Sequence, residues 1–430
     1  MDKDLLIKGG HIIDPSQGID GIGDVYIEGG RIASIRLNNG NQYRAPAQKE
    51  RTIDAAGLYV FPGLVDMHAH LREPGYEHKE TIKTGTRAAV RGGFTSVCPM
   101  PNTNPVNDNT TVTAFVIKKA AEEGFCSVYP IGAVTKGQNG EELAEMGLMY
   151  DAGCKAFSDD GRPVMSSIMM RRALAYSRVF GVPVISHCED LALADDGVMN
   201  ESALATTLGL KGIPSAAEEV MVARDIILAE LTGGRLHLAH ISTEGSVRLI
   251  RLAKERGIRV TAETCPHYFS LTEEAVNGYD TNAKVNPPLR TQKDAKAIKE
   301  GLRDGTIDVI ATDHAPHHRD EKLREFDKAP SGISGFETAL GLSLRLVEQN
   351  VLTIGNLVEK MTCNPAVIMG LGKGTLREGS DADITIADLN KETRVEAASF
   401  ASLGKNTPFD KWILKGMPVI TIVGGIVVHE

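Results

Sequence analysis

The sequence predicts an α/β protein: a (β/α)8, TIM-like barrel with a small β-sandwich domain built from both chain termini. Two observations support this prediction. Across the middle of the chain, eight apolar, strand-like runs alternate with segments that carry apolar residues at helical spacing. Both ends of the chain instead show short strands broken by glycine turns. The two patterns indicate two structural units.

The terminal unit begins with the strand-like runs LLIKGGHIID, DVYIEGGRIASI and TIDAAGLYV, and the last fifty residues repeat that pattern in DADITIADL, WILKGMPVI and TIVGGIVVHE. The ends of a barrel lie close together in space, so strands from both termini can pair there. We therefore predict a composite β-sandwich domain of residues 1–55 plus 376–430 and a barrel domain of residues 56–375.

The eight runs of the barrel are FPGLVDMHAH, GGFTSVCPMPN, CSVYPIGAV, CKAFSDDG, VPVISHCED, RLHLAHIST, RVTAETCPHY and TIDVIATDHAPH. They are apolar throughout rather than alternating, which is typical of parallel strands buried on both faces. Segments such as TIKTGTRAAVRG, SSIMMRRALAYSRVFG, AAEEVMVARDIILAELTG and TEGSVRLIRLAKERG end near glycine, as amphipathic helices do. Eight such strand and helix pairs predict closure into a barrel.

Composition argues against several classes of partner. Hydrophobic residues make up 42% and charged residues 24% of the 430 positions, as in globular proteins with a large core. The formal net charge is −9, without a block of like charges, so we expect neither a nucleic-acid nor a membrane partner. The six cysteines form no CxxC pair, and no apolar run suits a signal peptide or a membrane span. We expect a cytoplasmic protein with reduced thiols.

Polar residues follow the predicted barrel strands at their C-terminal ends, where the catalytic groups of such barrels lie. The first strand ends in His68-Ala69-His70, and alternation along a strand points both histidines to the same face. This pair can hold a first-row metal. Four histidines and two carboxylates converge from five strand ends: His68, His70, Asp160, His187, His240 and Asp313.

A single histidine at a strand end is more often a hydrogen-bonded structural residue than a metal ligand. The joint pattern favours a metal site, because six such groups would otherwise have to meet at one end of the barrel by chance. One catalytic zinc uses about three protein ligands. Six candidates therefore predict two divalent metal ions that share a bridging ligand.

The run DMHAHLREPGYEHKETIKTGTRAAVRGGFTSVCPMPNTNP resembles the metal-binding and substrate-binding signature of bacterial class I dihydroorotases, in the amidohydrolase superfamily. FSDDG, SHCED, HLAHIST, KVNPPLR, ATDHAPH and GKNTPF extend the resemblance over essentially the whole chain. It implies two metal ions, expected to be Zn2+: one bound by His68, His70, Asp160 and Asp313, the other by Asp160, His187 and His240. It also implies a set of substrate-binding residues: His70, Arg72, Asn102, Asn286, His317, Ser331 and Gly332.

The resemblance implies reversible hydrolysis of the cyclic amide of L-dihydroorotate to N-carbamoyl-L-aspartate, in de novo pyrimidine (UMP) biosynthesis. A hydroxide that bridges the two metals would attack the ring, with Asp313 as general acid and base. Arg72 lies two residues beyond the second histidine and offers a fixed fork for a carboxylate. Besides the small-molecule substrate, the expected partners are a second copy in a homodimer and aspartate transcarbamoylase.

Two alternatives remain at this stage. A hydantoinase or allantoinase would share the barrel and the paired histidines, but its substrates include rings without a carboxylate at the corresponding place. Arg72 together with Asn102 therefore favours dihydroorotate. The chain could instead be a non-catalytic partner of aspartate transcarbamoylase, or a scaffold protein of the dihydropyrimidinase-related type. Such degenerate relatives lose metal ligands, whereas this sequence has all six.

The bridging ligand has two candidates on the fourth strand. In related amidohydrolases, a lysine at this strand is carboxylated to a bridging carbamate, and Lys155 lies in a motif that resembles theirs. Asp160 lies five residues further along, where the other candidate ligands are. Lys155 would start about 16 Å earlier if the strand ran straight at ~3.3 Å per residue. We therefore predict Asp160 as the bridge.

Overall fold

The computed structural model describes residues 4–38 and 51–430. Strand β1, Leu5–Asp14, pairs antiparallel with β2, Ile19–Glu28, which in turn pairs antiparallel with β3, Arg31–Leu37. On its other side, β1 pairs in parallel with β4, Arg51–Asp54, and with β5, Tyr59–Pro62. Residues 1–3 and 39–50 of the predicted terminal domain lie outside the described residues.

The next strands form the predicted barrel. Two parallel sheets are joined by bridges between Gly132 and Phe157 and between Ala69 and His314, which close the ring of eight strands. Each of the eight predicted runs supplies one strand, so this prediction is confirmed. In chain order the strands are β6 Leu64–Ala69, β7 Phe94–Pro99, β8 Ser127–Val128, β9 Phe157–Ser158, β10 Val184–Ser186, the separate parallel pair β11 Met199–Asn200 and β12 Gly212–Ile213, then β13 Leu236–Leu238, β14 Val260–Thr264 and β15 Val309–Ile310.

Helices follow the barrel strands and cover the sheet. The four segments predicted from helical spacing form the helices Ile82–Arg91, Ser167–Ser177, Ala216–Thr232 and Glu244–Glu255. The first of these begins at a capping box, in which the Thr81 hydroxyl accepts a hydrogen bond from the Thr84 amide. In chain order the helices are α1 Ile82–Arg91, α2 Thr110–Glu123, α3 Met146–Asp151, α4 Ser167–Ser177, α5 Leu191–Ala194, α6 Ala203–Leu208, α7 Ala216–Thr232, α8 Glu244–Glu255, α9 Pro266–Ser270, α10 Gln292–Asp304, α11 Arg319–Lys322, α12 Ala339–Glu348, α13 Ile354–Met361 and α14 Cys363–Met369.

The chain returns to the first sheet with β16, Ile384–Arg394, β17, Ile413–Val423, and β18, Ile426–His429. β16 pairs antiparallel with β5, so strands from both termini form one eight-stranded sheet in the order β18-β17-β16-β5-β1-β2-β3, with β4 beside β1. β5 lies beyond residue 55 in the sequence. The division at residues 55 and 376 stays a prediction.

The hydrophobic core explains why the two ends stay together. One buried cluster combines residues of the first strands, such as Ile12 and Val60, with Ile384 and Ile422 from the last ones. Full burial of such a side chain contributes roughly 1.5–3 kcal/mol. A larger cluster lies between the barrel and its helices. All six cysteines are buried and unpaired. Within the described residues, no helix has both the length and the apolar character needed to span a bilayer.

Candidate active site

The predicted metal ligands lie where the barrel strands end, and the backbone there is unusual. His240 and Asp313 have φ angles of 37° and 45°, and Arg72 has a φ of 60°. These values lie in the left-handed region, which is uncommon for residues other than glycine. The pairing of β6 with β7 also shifts register between Asp66 and Ala69. Strain of this kind is typical of functional sites, where it aims side chains away from the regular strand direction.

The Asp160 carboxylate lies at the centre of the predicted ligands. Asp313 Oδ1 completes the group, 3.0 Å from His70 Nε2 and 3.5 Å from His68 Nε2. The structure thus brings all six predicted ligands together, and each is less than a tenth exposed. The distances to an Asp160 oxygen are 3.4 Å from His68 Nε2, 3.5 Å from His70 Nε2, 3.5 Å from His240 Nε2 and 3.6 Å from His187 Nδ1.

Hydrogen bonds fix which nitrogen of the first two histidines faces this centre. His68 Nδ1 donates to Glu263 Oε1 at 2.5 Å, and His70 Nδ1 donates to Asn102 Oδ1 at 2.9 Å. A metal binds the neutral imidazole, which has a single N–H, so in that state the Nε2 atom of each ring presents a lone pair. Metal-binding histidines are held in the same way, with the second nitrogen bonded to a carboxylate or carbonyl.

The other two histidines form the second half of the cluster. His187 Nδ1 lies only 2.8 Å from His240 Nε2, and His187 Nε2 lies 3.2 Å from Glu189 Oε2. The Asn286 amide also donates to Glu189, at 3.1 Å. Asn286, one of the predicted substrate residues, is therefore linked to the His187 side of the site.

The donor set fits bound cations. His68 Nε2 and Asp160 Oδ1 are buried and have no hydrogen-bond partner among the described residues. Burial lowers the pKa of His68, but Asp160, Glu263 and Asp313 raise it well above its ordinary value. Against the same effect of burial, the neighbouring carboxylates of Asp160 and Glu189 raise the pKa of His187 to about 10. The cluster therefore attracts positive charge, and imidazole nitrogens with carboxylate oxygens suit a first-row divalent metal.

A cavity of about 230 Å³ opens onto this cluster. All seven predicted substrate-binding residues line it, together with five of the six predicted metal ligands. His68 is the exception, because it lies beneath the cavity and is fully buried. The lining residues are His70, Arg72, Asn102, Asp160, Gly161, His187, His240, Asn286, Asp313, Ala315, His317, Ser331 and Gly332.

One wall of the cavity is cationic. His317 Nε2 donates to the Ser331 carbonyl at 2.8 Å, which leaves Nδ1 as a lone pair 3.4 Å from Lys79 Nζ. Burial, Arg72 and Lys79 hold the pKa of His317 well below its ordinary value, so the ring is neutral. Lys79 is paired with Glu321 at 3.0 Å. Arg72 Nε donates to the Pro316 carbonyl at 3.3 Å, but no carboxylate of the described residues lies within 4 Å of its guanidinium, so its charge is available to a ligand.

Lys155, the other candidate for the bridge, is not among the residues that line the cavity. It precedes β9, and its main-chain nitrogen donates to Pro130 O. Asp160, two residues after the end of β9, contacts all four histidines instead.

Sequence reasoning missed two carboxylates, Glu263 and Glu189. Glu189 lies two residues after His187, so the alternation used for His68 and His70 could have identified it. Glu263 belongs to β14, where an ionisable residue within an apolar run is itself a signal. The sequence alone cannot connect Glu263 to its histidine, because the His68 contact joins positions 195 residues apart.

Comparisons with known proteins agree with this geometry. A family model described as dihydro-orotase-like matches residues 57–246. The curated dihydroorotase of Geobacter sulfurreducens is 59% identical over 426 residues, and that of Acetivibrio thermocellus is 56% identical over 432 residues, with 99% of each chain covered. Among solved structures, the L-hydantoinase (dihydropyrimidinase) from Arthrobacter aurescens superimposes with a TM-score of 0.88 at 27% identity, covering 99% of this chain and 96% of that one. The D-hydantoinase from Thermus sp. gives a TM-score of 0.81 at 26% identity, covering 99% and 95%.

The barrel, the buried histidine and aspartate cluster and these structural relatives define an enzyme of the cyclic amidohydrolase class. Within that class, these dihydroorotases are 56–59% identical to this chain over 426–432 residues, whereas these hydantoinases are 26–27% identical. The chain belongs to the dihydroorotase family.

Proposed function

We propose that this protein catalyses the reversible hydrolysis of the cyclic amide of L-dihydroorotate to N-carbamoyl-L-aspartate. The observation that carries the proposal is the Arg72 guanidinium, which lines the same cavity as the predicted metal ligands and has no described carboxylate as a partner. An arginine in such a place favours a ligand with a carboxylate, because the two groups form charge-assisted hydrogen bonds. Dihydroorotate carries that carboxylate, whereas hydantoin and dihydrouracil do not. Relatives at 54–59% identity are named dihydroorotase, which supports the same substrate.

The six clustered residues would hold two divalent cations, for which zinc is the expected metal. His68, His70 and Asp313 would bind one ion and His187 and His240 the other, with Asp160 between them. When bound, the cations supply Lewis acidity, which lowers the pKa of water toward neutrality and polarises the ring carbonyl.

Asp313 would move the proton. In the hydrolytic direction, the water oxygen adds to the ring carbonyl carbon, and the bond from that carbon to the ring nitrogen breaks. Asp313 takes a proton from the attacking water and delivers it to the leaving nitrogen, so the proton count balances. Burial opposes ionisation, but His68 and His70 hold the pKa of Asp313 below its ordinary value, so it is ready to accept a proton at neutral pH. Ring closure runs through the same groups in reverse.

The remaining lining residues would hold the substrate. Arg72 offers a forked cation to the carboxylate, and the Asn102 amide nitrogen remains available because its oxygen holds His70. The neutral His317 and the main chain at Gly332 form the facing wall. With these contacts the ring carbonyl would be directed at the metal ligands.

A cytoplasmic location, a homodimer and an association with aspartate transcarbamoylase stay predictions. Sedimentation of the purified protein, alone and mixed with aspartate transcarbamoylase, tests both associations.

The substrate assignment is tested with Arg72→Ala. Loss of a hydrogen-bonded charge pair should raise KM for dihydroorotate about 10- to 100-fold, with bound metal unchanged because no ligand is lost. Arg178→Ala is the matched control, since Arg178 donates to the Thr232 carbonyl on the surface. An unchanged KM in Arg72→Ala contradicts the proposal and favours a hydantoinase-type substrate.

A further inference from the structure

The Asn406 side chain joins two segments of the cavity wall. Asn406 Oδ1 accepts a hydrogen bond from the His317 amide at 2.9 Å, and Asn406 Nδ2 donates to Ala315 O at 3.1 Å and to Gly332 O at 2.9 Å. Its main-chain oxygen accepts a further bond, from the Ser334 amide at 2.8 Å. Asn406 is only 4% exposed, so water does not compete for these groups.

The two segments come from different parts of the chain. Ala315 and His317 follow β15 and the predicted catalytic Asp313, whereas Gly332 follows α11. Ala315, His317 and Gly332 all line the cavity of the candidate active site, but Asn406 does not. Asn406 therefore touches the wall from behind, without reaching the space that a substrate would occupy.

The chemistry of the position requires an amide. Its side-chain partners are two donors, the His317 amide and the Ser334 hydroxyl at 3.1 Å, and two carbonyl acceptors, so the side chain must present an acceptor oxygen and two hydrogens. Aspartate has the same shape, but it would place a carboxylate oxygen against the Ala315 and Gly332 carbonyls. A shorter polar residue can form at most some of these hydrogen bonds. Asparagine is the residue type that meets these demands at this size.

The segment that carries Asn406 is packed tightly against the wall. A Cβ atom at Gly404 would lie 2.6 Å from Pro316 Cβ and 2.8 Å from the His317 nitrogen, so only glycine allows this approach. A Cβ atom at Gly332, whose φ is 143°, would lie 2.6 Å from Ala315 O. Small movements of the wall are therefore resisted from both sides.

We propose that Asn406 is a positioning residue that sets the spacing between His317 and Gly332 and thereby the affinity of the cavity for the substrate. The proposal rests on the function proposed above only for the identity of that substrate. Asn406 lies in the C-terminal segment 376–430, outside the predicted barrel domain. Through this side chain, the predicted terminal unit would contribute to substrate binding.

The test compares Asn406→Ala and Asn406→Asp with wild type by steady-state kinetics, metal analysis and thermal unfolding. Both variants should raise KM for dihydroorotate at least tenfold while kcat stays within about threefold, because contacts to the substrate body are lost and the metal ligands are not. Metal content should match wild type. Asn364→Ala is the matched control, since Asn364 makes a comparable bond to the Asp308 carbonyl at 3.0 Å, away from the cavity lining. It should leave KM unchanged.

A merely structural role gives a different pattern. It would reduce the fraction of active enzyme, lower the apparent kcat and leave KM unchanged, and that result overturns the proposal. If Asn406→Ala does not fold, the same comparison of KM with kcat is made on Asn406→Ser. The serine hydroxyl can keep part of the hydrogen bonds that the asparagine makes. If wild type hydrolyses another cyclic amide instead of dihydroorotate, the proposed function fails, but KM for that amide still tests Asn406.

Discussion

The Glu263 carboxylate accepts the Nδ1 hydrogen of His68 and lies 3.3 Å from His237 Nε2. All three side chains are fully buried. Glu263 therefore determines which nitrogen of His68 faces Asp160. His237 lies on β13 and contacts Glu263, whereas His240 follows the end of that strand and contacts Asp160, so the two histidines serve different parts of the site.

Glu263→Gln should weaken metal binding without removing a ligand. The amide is neutral and supports the required His68 orientation less well, and changes at such outer positions typically cost about 10- to 100-fold in metal affinity. Competition with a chromophoric chelator measures this affinity, and excess metal should restore turnover. Glu273→Gln, whose carboxylate contacts Asn200 instead, is the control. Wild-type metal affinity in Glu263→Gln would show that His68 needs no such partner.

Asp313→Asn should keep the fold and most of the metal but abolish turnover. The amide can occupy the place of the carboxylate beside His70, yet it cannot accept and release a proton. We expect kcat to fall by about 100-fold or more, measured alongside metal content and the thermal unfolding midpoint. Activity within a few-fold of wild type would assign the proton transfer to another group.

Among the structural elements, the sequence predicted where the barrel strands end, but it did not predict the hydrogen bonds between side chains of different elements. Alternation along β6 predicted that His68 and His70 share a face, and the eight apolar runs predicted the strands. The roles of Asn102 and Asn406 depend on contacts across the fold. Asn102 was predicted as a substrate ligand, but its oxygen also holds His70 Nδ1. No local pattern encodes such a contact, because its partner lies on another strand.

Lys155 and Asp160, on either side of β9, are the two candidates for the ligand that would bridge the metal ions, and substitutions at both positions test them. Lys155→Ala should retain metal and activity within a few-fold of wild type, because Lys155 does not line the cavity. Asp160→Ala should lose metal and turnover together, since it removes the carboxylate that contacts all four histidines. Metal analysis and kinetics on both variants decide between them. If Lys155→Ala is inactive and short carboxylic acids rescue it, the bridge is a carbamate on Lys155.

At the scale of the whole molecule, the barrel and the terminal sheet form one functional structure. β5 and β16 join the two ends of the chain, and the segment after β16 reaches back to the cavity wall through Asn406. The sequence indicated a composite terminal unit from the repeated strand pattern. It gave no sign that this unit contacts the site, because contacts such as that of Asn406 with Gly332 span 74 residues.

Removal of metal should lower the thermal unfolding midpoint by several degrees, since ions that bind only the native state stabilise it. Without metal, His187 has a pKa raised to about 10 and is protonated at neutral pH, so metal must displace that proton. Affinity therefore rises with pH, and chelation should lower the midpoint more at about pH 8.5 than at about pH 6. Scanning calorimetry with and without chelator measures this difference. An equal shift at both values would show that His187 does not exchange a proton for metal.

We propose that this cavity hydrolyses a ring that carries a carboxylate, and a comparison of substrates on one metal-analysed sample distinguishes this activity from that of a hydantoinase. Turnover of dihydroorotate, dihydrouracil, hydantoin and allantoin should be measured in parallel. Dihydrouracil is the sharpest comparison because it lacks only the carboxylate that Arg72 would bind. We predict a kcat/KM for dihydroorotate at least about 100-fold above that for dihydrouracil, the range expected when a charged hydrogen-bond partner is lost. Equal or faster hydrolysis of dihydrouracil or hydantoin would show that Arg72 does not select a substrate with a carboxylate.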